Sequence, residues 1–245
     1  MTKGDDMTND IFVIAEQMDG VIAEISYEMV GKAKELAASW GGQVVAMVLG
    51  SGVAADGFAS DATMLIENAS LSQFNPEAYG KVIEALVKEK SPRLVIFGWT
   101  ATGMDLAAWL SARTGKPCVA YARDLCIENN SLVVSSQVYG GKMIAEVAPE
   151  GDMAIVACVT GSFPAEVGRG STPAMKMDSP VSLDGLKTKF VEAIKPAGGD
   201  VDITAQDKLV SIGRGIGGKE NIELAEELAE KLGAVVSASR PDLPT

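Results

Sequence analysis

The sequence predicts an α/β protein: a mostly parallel sheet in three layers with an antiparallel extension, followed by an incomplete second βαβ unit. Three observations carry that expectation. From residue 11 to about 115, short continuous apolar runs alternate with helix-length amphipathic segments, the rhythm of parallel strands buried on both faces. Between residues 125 and 159 the rhythm changes to short alternating runs separated by Asn129-Asn130, Gly140-Gly141 and Glu150-Gly151, which read as hairpins. Near the end a glycine-rich turn, Gly213 to Gly218, joins a strand-like run to a helix-like one.

The elements follow in order. Residues 1–10 are polar and acidic and predict a flexible start; IFVIA (11–15) predicts a buried strand. After Asp19-Gly20 a helix is expected from a cap at Ser26, with Val30, Ala33, Leu36, Ala37 and Trp40 on one side and a stop at Gly41-Gly42. QVVAMVLG (43–50) and ATMLIE (62–67) predict two more strands. Asn75-Pro76-Glu77 gives a cap, a first-position proline and a first-turn acid. Tyr79, Val82, Ile83, Leu86 and Val87 then form one apolar stripe, ended by Ser91-Pro92. RLVIFG (93–98) is the next strand, and a helix spans about 103–114.

The runs 125–128, 132–138, 142–148 and 153–159 are all expected in the antiparallel extension. Residues 160–207, rich in Gly, Pro and Ser with only a weak helix or strand near 186–194, read as the connection between domains. The first domain is taken as 11–195, the linker proper as 196–207, and 208–245 as the start of the second. There KLVSI (208–212) predicts a strand. Asn221 to Leu232 predicts a helix with Leu224, Leu228 and Leu232 at four-residue spacing, and AVVSAS (234–239) a further strand. One βαβ unit cannot bury both faces of its sheet, so something must complete it.

Composition narrows the chemistry. The net charge of −12 argues against nucleic acid, which needs clustered Lys and Arg, and serves solubility. No histidine occurs among the 245 residues, which removes Ser-His-Asp and Cys-His catalysis and every histidine metal site. Cys118, Cys126 and Cys158 form no Cys-x-x-Cys pair, lie in apolar runs and are expected to be buried structural thiols. No apolar run reaches the roughly 18 to 20 residues that span a bilayer. The opening residues lack the basic start and apolar stretch of a signal peptide, so a cytoplasmic protein is expected.

Gly213-Arg214-Gly215-Ile216-Gly217-Gly218-Lys219 matches G-x-G-x-x-G, in which glycines let backbone amides approach a pyrophosphate at a helix start. It also matches G-x-x-x-x-G-K, but Glu220 stands where a P-loop needs Ser or Thr for magnesium. The P-loop is rejected. Arg240, at the end of the next strand, is compatible with an NADP 2′-phosphate. The glycines also suit a turn with no ligand.

Three stretches together carry more than any one motif. Gly98-Trp-Thr-Ala-Thr-Gly-Met-Asp-Leu-Ala through Ala122-Arg-Asp-Leu125, then Tyr139-Gly-Gly-Lys-Met-Ile-Ala145, then Val210-Ser-Ile-Gly-Arg-Gly215 with Ser239-Arg240-Pro241, resemble the electron-transfer flavoprotein alpha subunit, in order. The resemblance implies a Rossmann-like FAD domain in second place, met by Gly213, Arg214, Gly215 and Ser239, with Arg240 near the flavin ring. A fixed guanidinium there stabilises the anionic reduced flavin and raises its potential. It further implies a beta-type subunit partner and a flavin dehydrogenase, such as an acyl-CoA dehydrogenase, as electron donor. In the family the chain continues past Ser-Arg-Pro for a further half-domain, so the FAD domain is expected to be cut short and its hold on FAD weakened. Two alternatives stay open: a flavin-free docking scaffold for the beta-type subunit, and an NADP- or nucleotide-dependent enzyme. Thr100, Thr102 and Asp105 are read as helix-capping and first-turn residues rather than relics of a nucleotide site.

Overall fold

Ile11–Ala15 (β1), Val44–Gly50 (β4), Leu94–Gly98 (β6) and Ala154–Cys158 (β10) are apolar along their whole length and buried along it too. Strands of this kind can only sit inside a sheet covered on both faces. In a computed structural model, which describes residues 8–192, 203 and 206–239, they are the centre of one. The chain divides into two compact units, Met1–Val191 and Glu192–Thr245.

In the first unit the remaining elements are Gln17–Met18 (β2), Val21–Ile22 (β3), Glu24–Trp40 (α1), Ala62–Glu67 (β5), Pro76–Lys90 (α2), Ala101–Thr114 (α3), Cys118–Glu128 (β7), Ser131–Val138 (β8), Met143–Val147 (β9) and Ala174–Asp178 (β11). The main sheet runs β11-β5-β4-β1-β6-β10-β7-β8-β9. Pairing is parallel from β11 to β7 and antiparallel from β7 to β9. On one face α1 packs Met29, Val30, Ala33 and Leu36 against Val13, Ala46 and Ile96. On the other, α2 and α3 pack Val82, Ile83, Leu86 and Leu110 against Ile14, Met47 and Val95.

Four expectations change. Residues 153–159 do not join the antiparallel extension: β10 is a parallel strand between β6 and β7, because its unbroken apolar run needs cover on both faces. The 160–207 stretch is more than a connection, since β11 pairs in parallel with β5 as Ala174 on Thr63 through Asp178 on Glu67. Its half-exposed sequence, AMKMD, reflects an edge position. Ser26 is not the cap of α1; the cap is Ala23, without a side-chain bond. The buried Ser26 hydroxyl instead accepts from Glu16 N at 2.9 Å and donates to Glu16 O at 3.3 Å. Of the cysteines only Cys158 is buried, its thiol pushed up to about 12 by desolvation. Cys126 is half-buried and Cys118 exposed.

Asn75 caps α2 as expected: Oδ1 accepts from Glu77 N at 3.0 Å and Ala78 N at 3.1 Å. The same side chain donates to Thr188 O at 2.9 Å, tying the 186–190 segment to the helix start. Asn75→Ala is therefore expected to cost about 1–2 kcal/mol, the upper range for a cap, read as a lower denaturation midpoint with an unchanged slope.

The loop after β10 is fixed to α1 from two sides. Glu28, 4% exposed, accepts from Gly161 N at 2.8 Å and Phe163 N at 3.3 Å. The short 3-10 turn Ala165–Gly168 then lies on α1 where Gly168 faces Tyr27 and Gly31.

In the second unit Leu209–Ile212 (β12) and Val235–Ala238 (β13) pair in parallel, joined through Ile222–Leu232 (α4). The helix packs through Ala225 and Ala229; Leu224, Leu228 and Leu232 lie outward at 69%, 50% and 48% exposure. This is the unsatisfied second surface expected of a single βαβ unit. Among the described residues no helix is long and apolar enough to cross a membrane.

Candidate functional site

Two places in an α/β chain of this kind bear on ligands: the carboxyl ends of the parallel strands in the first unit, and the glycine turn of the second. In the first unit the strand order reverses about β1, which has β4 on one side and β6 on the other. Crevices at such switch points are where open α/β sheets hold ligands. Here the crevice is occupied by the chain itself. Thr100 caps α3, accepting from Gly103 N at 3.0 Å, and its hydroxyl lies 2.8 and 2.9 Å from the two carboxyl oxygens of Glu16. Beside it Gln17 Nε2 reaches Tyr79 Oη at 3.2 Å and Leu49 O at 3.4 Å.

The helix starts two residues before the expected Gly103, so its cap is Thr100, a neighbour of the expected Thr102, which lies half-buried in the first turn of α3. Asp105 is a correction: α3 begins at Ala101, so Asp105 falls beyond its first turn and is exposed. Glu16, Gln17 and Glu28 escaped the sequence reading. A polar pair directly after a buried strand, as in Ala15-Glu16-Gln17, is the signal that locates the first two.

Desolvation raises the Glu16 carboxyl above its ordinary 4.5, against the lowering effect of the Thr100 hydroxyl. A carboxyl raised by folding favours the fold while protonated. Its contribution is complete below pH 4.5 and is lost as pH rises through the raised value. Glu16→Gln, which keeps an acceptor for Thr100 without a titrating proton, is expected to melt higher than the native chain at pH 7. The advantage shrinks toward pH 4, and melting curves across that window check it.

In the second unit β12 ends at Ile212 and opens directly into the glycine turn. Gly213 is extended, Arg214–Ile216 make a 3-10 turn, and Gly217 sits at φ 84°. Ser239, just past β13, donates its amide to Ile212 O at 3.4 Å. The structure therefore brings Gly213 and Ser239 side by side at the carboxyl ends of two neighbouring strands, with Arg214 and Gly215 exposed beside them. Arg240 lies outside the described residues.

The glycines separate into two kinds. Gly217 needs its positive φ, which only glycine adopts without cost. Gly213 and Gly215 do not have positive φ, and a Cβ on either would meet nothing within 4 Å. Among the described residues, neither turn geometry nor packing requires glycine at those two positions. In dinucleotide-binding turns, glycines at such positions let a ligand approach the backbone. Lys219–Asn221 form a second 3-10 turn before α4, and Asn221 donates to Ile216 O at 2.8 Å instead of capping the helix. With Glu220 in that turn, no hydroxyl is placed for a phosphate-bound magnesium.

Comparison with known proteins identifies the family. Residues 11–182 match the electron transfer flavoprotein domain and residues 202–243 the electron transfer flavoprotein FAD-binding domain. The electron transfer flavoprotein subunit alpha of Clostridium acetobutylicum is 33% identical over 242 residues, covering 94% of this chain and 72% of that protein. The subunit of the same name from Thermoanaerobacterium thermosaccharolyticum is 31% identical over 240 residues, covering 94% and 73%. The lactate dehydrogenase (NAD(+),ferredoxin) subunit LctC of Acetobacterium woodii is 26% identical, and the match spans 58% of its length. The paired strands, the two unexplained glycines and the two matched domains converge: the chain belongs to the electron transfer flavoprotein family, as an alpha-type subunit.

Proposed function

We propose that the chain is an electron carrier and not an enzyme, holding FAD at the second unit, pairing with a beta-type subunit and taking electrons from a flavin dehydrogenase in the cytoplasm. The observation that carries this is the freedom at Gly213 and Gly215, where the described residues give no reason for glycine. Bound FAD supplies reversible electron storage. The chain supplies the rest: backbone amides of the 213–215 turn against the pyrophosphate, Ser239 alongside it, and the Arg240 guanidinium near the ring. The absence of histidine, which leaves no ordinary proton shuttle near neutral pH, supports a carrier over an enzyme. The exposed leucines of α4 support a second unit that depends on further polypeptide for its full hold on FAD.

The visible absorption spectrum of the purified chain, alone and co-expressed with a beta-type subunit, tests the reading. Flavin bands co-purifying with the chain in either preparation support it, and Arg240→Ala is then expected to lower the flavin potential in a redox titration. Colourless protein in both preparations overturns it in favour of a docking scaffold.

A further inference from the structure

Asn221 stands where a helix cap belongs and does something else. Asparagine is among the best cap residues, accepting from an amide of the first helical turn while its own backbone stays extended. Asn221 directly precedes α4, yet its backbone is already helical, at φ −90° and ψ −6°, and its side chain makes no capping bond. The carboxamide turns back instead and donates to Ile216 O at 2.8 Å, with Nδ2 lying 3.5 Å from where a Cβ on Gly217 would sit. The helix goes without a side-chain cap, and the glycine turn gains a brace.

The turn has need of one. Gly213, Gly215, Gly217 and Gly218 make up most of it, and glycine loses more backbone freedom on ordering than any other residue. Its backbone bonds are short in span: Ile216 N donates to Gly213 O at 2.9 Å, and Gly217 N to Arg214 O at 3.3 Å. The Ile216–Gly217 peptide is trans, so its carbonyl and its amide point opposite ways. Fixing the carbonyl on Asn221 therefore also fixes the Gly217 amide toward Arg214 O. Released, that peptide is free to turn over beside a glycine, which tolerates either orientation.

We propose, on the reading of the second unit as the FAD site, that Asn221 is a positioning residue for the cofactor: it holds the Ile216–Gly217 peptide in one orientation, so that the Gly213–Gly215 backbone is set before the pyrophosphate arrives. Order present beforehand is order that binding does not have to supply, and affinity rises accordingly. Asn221 acts on the turn, and the turn acts on the cofactor.

Aspartate at position 221 separates this role from support of the helix. It suits a helix start as well as asparagine does, has nearly the same shape, and as a carboxylate cannot donate. The full chain is co-expressed with a beta-type subunit, stripped of flavin and titrated with FAD by flavin absorbance. Asn221→Asp and Asn221→Ala are each expected to bind about tenfold or more weakly than the native chain. Without flavin, Asn221→Asp is expected to melt within about 2 °C of native. Hydrogen exchange of the flavin-free chain reads the brace directly: the Gly217 amide exchanges about fivefold faster in both variants, while Ala225 and Ala229 in α4 keep their protection. Asn221→Asp that binds FAD as tightly as the native chain overturns the proposal, and so does unchanged exchange at Gly217. Protection lost across α4 in Asn221→Asp overturns it too, because Asn221 then serves the helix. Native protein that takes up no FAD overturns the FAD reading itself, and the role of Asn221 falls with it.

Discussion

Gly168→Ala is expected to be among the most damaging single-methyl changes in the first unit, lowering its stability by about 3 kcal/mol or more. The added Cβ would fall inside contact distance of the Tyr27 carbonyl oxygen, at 2.7 Å from Tyr27 C and 2.8 Å from Gly31 N. All three are backbone atoms of α1, so no side chain can turn aside. Either α1 or the Ala165–Gly168 turn must move, and both are anchored: α1 buries Met29, Val30 and Ala33 completely, and Glu28 holds Gly161 and Phe163 just upstream. Ordinary core overpacking costs about 1–3 kcal/mol because side chains share the strain; here the backbone takes all of it. Urea denaturation of native and variant chains measures the difference. A loss below about 1 kcal/mol would show that the turn can lift off α1 freely.

Gly215→Val is expected to do the opposite: leave the melting point near that of the native chain and strip flavin from the protein. Among the described residues beyond its chain neighbours, no atom lies within 4 Å of a Cβ at that position, and its φ lies outside the positive range, so the described fold leaves room for a side chain. A cofactor laid against the backbone does object. A clash worth about 1–3 kcal/mol weakens binding by about ten- to a hundredfold. The check is the ratio of flavin absorbance to protein absorbance after co-expression with a beta-type subunit, beside a thermal melt. Unchanged flavin with unchanged stability would remove the 213–215 turn from the cofactor site.

The two glycines make the same point about legibility from opposite sides. The sequence places Gly215 in a motif, and the motif alone cannot separate a ligand's glycine from a turn's. That distinction needs the empty space around it. Nothing in the local sequence marks Gly168 at all, because its constraint comes from a helix more than a hundred residues earlier. Strands β1, β4 and β6 were legible because an unbroken apolar run admits few other fates. β10 shares their signature and was drawn into the hairpin series by its neighbours in sequence, where its own unalternating AIVAC was the better guide. β11 was hidden for a physical reason, since an edge strand needs little apolar character. Glu16 was hidden because an acid after a strand usually faces water, and Glu28 because an acid on a helix usually does. Only the fold reveals that Glu28 is buried.

The place of β10 in the sheet also governs how the chain can assemble. As it leaves the ribosome, β6 is made early, with its register set by Ala154 against Leu94 and Cys158 against Gly98. It must wait, one edge unpaired, while the whole β7-β8-β9 meander is made. Only then does β10 arrive to slot between β6 and β7, and later still residue 174 closes on residue 63. Pairings of such long sequence separation carry a loop-closure cost before any contact repays it, which slows folding and leaves apolar strand edges open meanwhile. The central seam of this sheet is sealed late, by strands from the far end of the unit.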